Sequence, residues 1–110
     1  MKLRYTPRAK LDLAEIHDYI AQENSQAARR VILIIRKAAE TLPQNPQIGR
    51  VGRIAGTREL TVGRFPFMLA YRIESEEVQI LAVVHTARLW PENSDPLVVV
   101  GVITIAPCAG

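Results

Sequence analysis

The sequence is poor in the side chains that most often do chemistry. Its 110 residues include one cysteine, Cys108, so no internal disulfide can form and nothing calls for an oxidising compartment. The only histidines are His17 and His85, too scattered with Cys108 to outline a metal site. No serine or cysteine has a base and an orienting group at a hydrolase spacing. No Walker loop is present, and Gly49, Gly52 and Gly56 do not follow a strand as a dinucleotide fingerprint requires. No metal and no cofactor are therefore expected. No apolar run approaches the roughly 20 residues that cross a bilayer. Met1-Lys2-Leu3-Arg4 leads straight into a helical pattern without a signal-peptide core, so the expected location is cytoplasmic, away from any membrane.

What is present is ordinary for a folded domain: 48% hydrophobic and 23% charged residues. A chain of this size buries roughly two-thirds of its unfolded surface. The excess of basic over acidic residues, 14 to 11, is small, but it is concentrated. Between Gly49 and Arg72, Arg50, Arg53, Arg58, Arg64 and Arg72 face the single carboxylate Glu59. Arginine's planar fork of donors suits carboxylate and phosphate, which points to an anionic or acidic partner.

Lys2 to Tyr5 alternates as a strand, and Thr6-Pro7 supplies an N-cap followed by proline at the first helical position. Ala9, Leu13, Ile16 and Ile20 then share one helical face. Glu23-Asn24-Ser25 breaks the pattern, and Asn24 or Ser25 caps a second helix with Ala27, Val31, Ile34, Ala38 and Leu42 on its apolar side, ended by Pro43 and Pro46. So short a connection makes the helices an antiparallel hairpin that needs a sheet to cover.

The stretch from Pro46 to Gly56 has the composition of an irregular loop whose glycines can bring the backbone close to a partner. From Thr57 to Pro91, strand-like runs separated by Gly63-Arg64 and by Glu74 to Glu77 predict an antiparallel meander. Phe65, Phe67, Leu69, Tyr71 and Ile73 alternate along its central strand, and Val78 to His85 reads as a strand buried on both faces. The domain spans 1–91. Residues 92–110 form an extension, a proline-bounded polar linker and then Leu97 to Ala106, an extra strand that would pair with a sheet edge of its own chain or a neighbour.

His85 with Arg88, in the run His85-Thr86-Ala87-Arg88, is the one pair suited to phosphate chemistry as acid and charge clamp, and a strand-end histidine capped by backbone is the plainer reading.

Thr6-Pro7, Asp12-Leu13, Asp18-Tyr19-Ile20-Ala21, Arg58-Glu59-Leu60, Val62-Gly63-Arg64, Tyr71-Arg72 and Val84 to Arg88, taken in order, resemble the ParE/RelE superfamily of toxins from type II toxin–antitoxin modules. The resemblance covers about Met1 to Pro91. It implies an α+β fold of order β-α-α-β-β-β, a helix hairpin on one face of a small antiparallel sheet. It also implies a cognate antitoxin as partner, with homo- or hetero-oligomers formed around it. RelE-like members are ribosome-dependent mRNA endonucleases, whereas ParE-like members inhibit DNA gyrase without nuclease chemistry.

RelE-like nucleases usually carry an arginine three residues before the central-strand tyrosine, where this chain has Met68 before Tyr71. That departure favours the gyrase branch, with Arg50, Arg53, Arg58, Arg64, Arg72 and Arg88 as the target-binding set. A ribosome-directed nuclease would use His85 and Arg88, with Arg64 or Arg72 on the scissile phosphate. An inactive remnant that only binds its antitoxin is the third reading.

Overall fold

The computed structural model describes residues 1–86. Arg88, the linker and the expected strand from Leu97 to Ala106 lie outside the described residues. The elements are β1 (Lys2–Tyr5), α1 (Pro7–Ala21), α2 (Ser25–Glu40), β2 (Arg50–Val51), β3 (Arg58–Thr61), β4 (Phe67–Glu74) and β5 (Glu77–His85). Both helices begin where local chemistry says they should. Thr6 Oγ1 accepts from the Ala9 N–H at 3.2 Å with Pro7 opening the helix, and Asn24 Oδ1 accepts from the Ala27 N–H at 3.0 Å.

The sheet runs in the order β1-β5-β4-β3-β2. The β3-β4-β5 meander is antiparallel, as expected, but the sheet as a whole is mixed, because β1 lies parallel to β5, with Leu3 opposite Val78 and Tyr5 opposite Ile80. Periodicity sets which face of a strand is buried and says nothing about its neighbour or its direction. Here the backbone decides: the Lys2 N–H donates to Glu76 O at 3.1 Å and the Thr6 N–H to Ile80 O at 3.0 Å. A further short strand, β2, pairs antiparallel with β3 inside the segment read as an irregular loop.

The core lies between hairpin and sheet. Ala9 and Leu13 of α1 meet Ile35, Ala39 and Leu42 from α2 and its end, and Leu69, Tyr71, Val78 and Ile80 from the sheet. The buried stripe of α2 is centred on Ala28, Ile35 and Ala39, while Val31, Ile34 and Ala38 flank it half-buried. Phe65 is not part of the central strand. Pro66 has no N–H for the ladder, so β4 starts at Phe67 and Phe65 stays exposed in the turn. On the other face Met68, Ala70, Ala82 and Val84 form a second buried group, as expected for strands buried on both sides.

A bulge at Leu81 shifts the register, so that Ala70 faces Ala82 but Tyr71 faces Ile80. At this point β5 outruns β1, and its outer backbone groups need other partners. Thr6 Oγ1 donates to Ile80 O and Leu81 O, and buried Asp12 of α1 accepts the Val83 N–H at 2.9 Å while Arg8 Nε holds its other side. Asp12→Ala should cost about 2–3 kcal/mol by leaving that buried N–H without its acceptor, read as a lower urea midpoint with unchanged slope.

The β4-β5 turn holds Ser75 at φ 51° and Glu76 at φ 58°, left-handed values that disfavour side chains. A two-residue hairpin turn of this kind prefers glycine in the second place. Glu76→Gly should therefore stabilise the protein by roughly 0.5–1 kcal/mol, measured as a melting point a few degrees higher.

Candidate functional site

The arginine-rich segment is held by its own sheet. Tyr71, buried on β4, donates its hydroxyl to Pro46 O at 2.7 Å and accepts the Gly49 N–H at 2.9 Å. A Cβ on Gly49 would stand 2.6 Å from that hydroxyl, so only glycine allows the approach. Gly52 is pressed against Thr57 in the same way, its N–H donating to Thr57 O at 2.8 Å. At Gly49 and Gly52 the backbone comes close to its own chain, to Tyr71 and Thr57.

Glu59 of β3 is the hub of this segment. Its side chain is 1% exposed, and it accepts the backbone N–H of Arg53 at 3.1 Å and Arg50 Nη2 at 3.3 Å, with Arg53 Nε at 3.9 Å. Arg50 and Arg53 border a cleft whose floor is Met68 and Val84, with Thr61, His85 and Thr86 around it. His85 ends β5 and meets Phe67 edge-on, ring centroids 5.5 Å apart at 85°.

Arg58 and Arg72 line a different cleft, with Val51, Thr57 and Ile73. Arg58 Nη1 donates to Gly49 O at 2.8 Å. Arg72 Nε donates to Gln79 Oε1 at 2.7 Å, and its Nη2 lies 3.2 Å from Glu74. Arg64 stands exposed on the turn between β3 and β4 and borders neither cleft. The structure thus gathers Arg50, Arg53 and His85, gathers Arg58 with Arg72, and leaves Arg64 apart. Arg88 lies outside the described residues.

The sequence reading named Glu59 and Tyr71 without giving either a role, and in the structure the Glu59 carboxylate and the Tyr71 hydroxyl hold this surface, as the Asp12 carboxylate holds Val83 N–H at the α1–β5 edge. Glu59 left a signal, being the lone acid among five arginines; a buried acid among cations reads as their anchor. Beyond the clefts, Gln79 Nε2 and Arg4 Nε donate to Glu77, and these hydrogen bonds hold its carboxyl below the usual range. His17 pairs with neighbouring Asp18 on the helix surface. Among the described residues no group of three or more His, Cys, Asp or Glu could hold a metal ion. None of the described helices is long and apolar enough to cross a membrane.

Residues 3–90 match the family described as the ParE toxin of type II toxin–antitoxin system, parDE. The chain is 42% identical over 91 residues to the Sinorhizobium fredii protein Y4kP, covering 83% of this chain and 94% of that one. It is 39% identical over 85 residues to toxin RelE2 of Caulobacter vibrioides, covering 77% and 94%. Among solved structures, a chain of the chromosomal ParDE system from P. aeruginosa superposes with a TM-score of 0.72 at 31% identity, covering 77% of this chain and 95% of that one.

Burial raises the Tyr71 pKa above the ordinary tyrosine value, against the smaller opposing effects of the Gly49 N–H and Arg58. A phenol whose folded pKa is raised stabilises the fold below about pH 10, and that stability is lost as pH climbs through the raised value. Tyr71→Phe should lower stability at neutral pH by about 1–3 kcal/mol, because the Gly49 N–H and Pro46 O lose their partner. It should also weaken the alkaline loss of stability without abolishing it, since Tyr5 is raised by burial too. Melting curves from pH 7 to pH 11 check both outcomes.

Proposed function

We propose, for a chain that belongs to the ParE toxin family of type II toxin–antitoxin systems, that the toxin acts by binding and inhibiting DNA gyrase. On this reading residues 1–91 are the toxin unit, and it works in the cytoplasm. The carrying observation is Met68. It is 4% exposed, it faces Val84 across the β4-β5 ladder, and it floors the cleft beside Arg50, Arg53 and His85. In the nuclease branch an arginine stands at this place to neutralise charge growing on the transferred phosphate, and an apolar thioether cannot do so. Loss of one such contact costs about a hundredfold or more in rate. Arg72, a second candidate for that role, is engaged with Gln79 and Glu74 and lines the other cleft. Similarity to the ParDE chain supports the same branch.

The competing reading is a ribosome-dependent mRNA endonuclease, favoured by the name of the Caulobacter relative and by the place of His85 at the cleft. In either case a cognate antitoxin holds the toxin. Leu11, Tyr19 and Leu33 stand exposed on the hairpin, and a partner laid over its outside would cover them.

The test runs gyrase supercoiling and ribosome-bound mRNA cleavage side by side, using the intact chain with His85→Ala and Arg88→Ala. The intact chain should block supercoiling and leave the mRNA whole. Cleavage by the intact chain that both variants lose, with supercoiling untouched, would replace the binding reading with the enzyme.

A further inference from the structure

We propose that the cleft around Arg58 is a receptor for a single carboxylate of the protein target, an aspartate or glutamate with an apolar neighbour. The inference rests on the reading that the toxin acts on a protein, and it names the contact. Of the arginines that border the two clefts, Arg50 and Arg53 meet Glu59 and Arg72 meets Glu74, whereas Arg58 meets no carboxylate among the described residues. Arg58 is half-buried, and a charge drawn partly out of water without a counter-ion is destabilising. Its Nη1 is engaged by two backbone carbonyls, Gly49 O at 2.8 Å and Gln47 O at 3.4 Å. Its Nε and Nη2 have no acceptor among the described residues. Those two nitrogens form the edge of a guanidinium that takes a carboxylate through two parallel bonds. Gly49 is itself held by the Tyr71 hydroxyl, so the fork is in place before the ligand arrives.

The surroundings favour one carboxylate on a protein over a nucleic-acid backbone. The cleft measures about 320 Å³, at the small end of ligand sites. Its walls include Val51, 78% exposed, and Ile73, 37% exposed, apolar surface that a partner would cover. Beyond Arg72 the chain runs into Glu74 and Glu76, both exposed, so a row of phosphates along this end of the sheet would pass from cation to anion. A single carboxylate at Arg58 avoids them. Arg58 faces Tyr71 across the ladder, and Glu74 lies roughly 10 Å further along β4 by strand rise, past the ~8 Å Debye length of physiological salt.

The decisive variant is Val51→Glu. Val51 stands opposite Arg58 in the β2-β3 register, so a glutamate there offers Arg58 a carboxylate from its own chain, at a site too exposed to disturb the core. The concentration for half-inhibition of supercoiling should rise on the order of tenfold above that of Val51→Gln, which has the same shape without the charge. Lys10→Gln, an exposed change on α1 that lowers the net charge by the same unit, should leave inhibition as it is in the intact chain. Equal inhibition by the two Val51 variants, or an equal loss in Lys10→Gln, overturns the proposal.

A second measurement separates this inference from the gyrase reading. The full-length chain is titrated with sodium acetate and with sodium butyrate while the arginine Nε–H resonances are followed by NMR. Arg58 should shift to saturation, with butyrate half-saturating at a concentration roughly fourfold lower for each methylene buried, and the shift should vanish in Val51→Glu. That result supports the site even if supercoiling proves untouched, in which case the gyrase reading alone falls. An Arg58 shift no larger than that of exposed Arg64, or one that persists in Val51→Glu, overturns the site. A short single-stranded RNA that moves Arg58 at far lower concentration than butyrate overturns the choice of a protein carboxylate.

Discussion

Strand β5 is nine residues long and the neighbour on its outer side, β1, has four, so the second half of that edge has to be completed by something other than a strand. The start of α1 completes it. Thr6 takes Ile80 O and Leu81 O, and Asp12 takes the Val83 N–H, so the residue that caps the helix and the acid nearly two turns later both bond to the sheet. Unpaired backbone groups in a buried place cost about 1–3 kcal/mol each. Meeting them from the helix fixes the rotation and height of α1 on the sheet, and through the short connection fixes α2 as well. The bulge at Leu81 belongs to the same arrangement, since the β4-β5 register shifts where β1 gives way to α1.

A similar dependence governs the other end of the molecule. The segment from Pro46 to Thr57 has little regular structure, and it is held by side chains reaching out from the sheet: the Tyr71 hydroxyl, the Arg58 guanidinium and the Glu59 carboxylate. The consequence is a cationic loop with a defined shape, in which Arg50 and Arg53 are held by a buried acid.

That arrangement bears on the choice between binding and catalysis. A nuclease needs preorganised donors placed where charge develops on the transferred phosphate. The cleft here has an apolar floor at Met68 and Val84, and Arg50 and Arg53 at its border are both tied to Glu59. On the proposed reading, partly neutralised cations over an apolar floor serve recognition of a partner's surface, where preorganisation strengthens binding.

Much of the fold was legible in the sequence because its causes are local. Thr6-Pro7 and Asn24 start helices by bonding to backbone three residues ahead, and the alternation through Phe67, Leu69 and Tyr71 marks the core face of β4. The ordered residues that resemble the toxin superfamily added the architecture and the partner class. The parallel placement of β1, the buried carboxylates of Asp12 and Glu59, and the division of the arginines between two clefts were decided only in the tertiary structure. The reason is one of range: a cap or an alternating strand is settled within a few residues, whereas Asp12 finds its N–H 71 positions away and Tyr71 finds Gly49 across 22. No spacing along the chain encodes a contact that exists only after the sheet has formed.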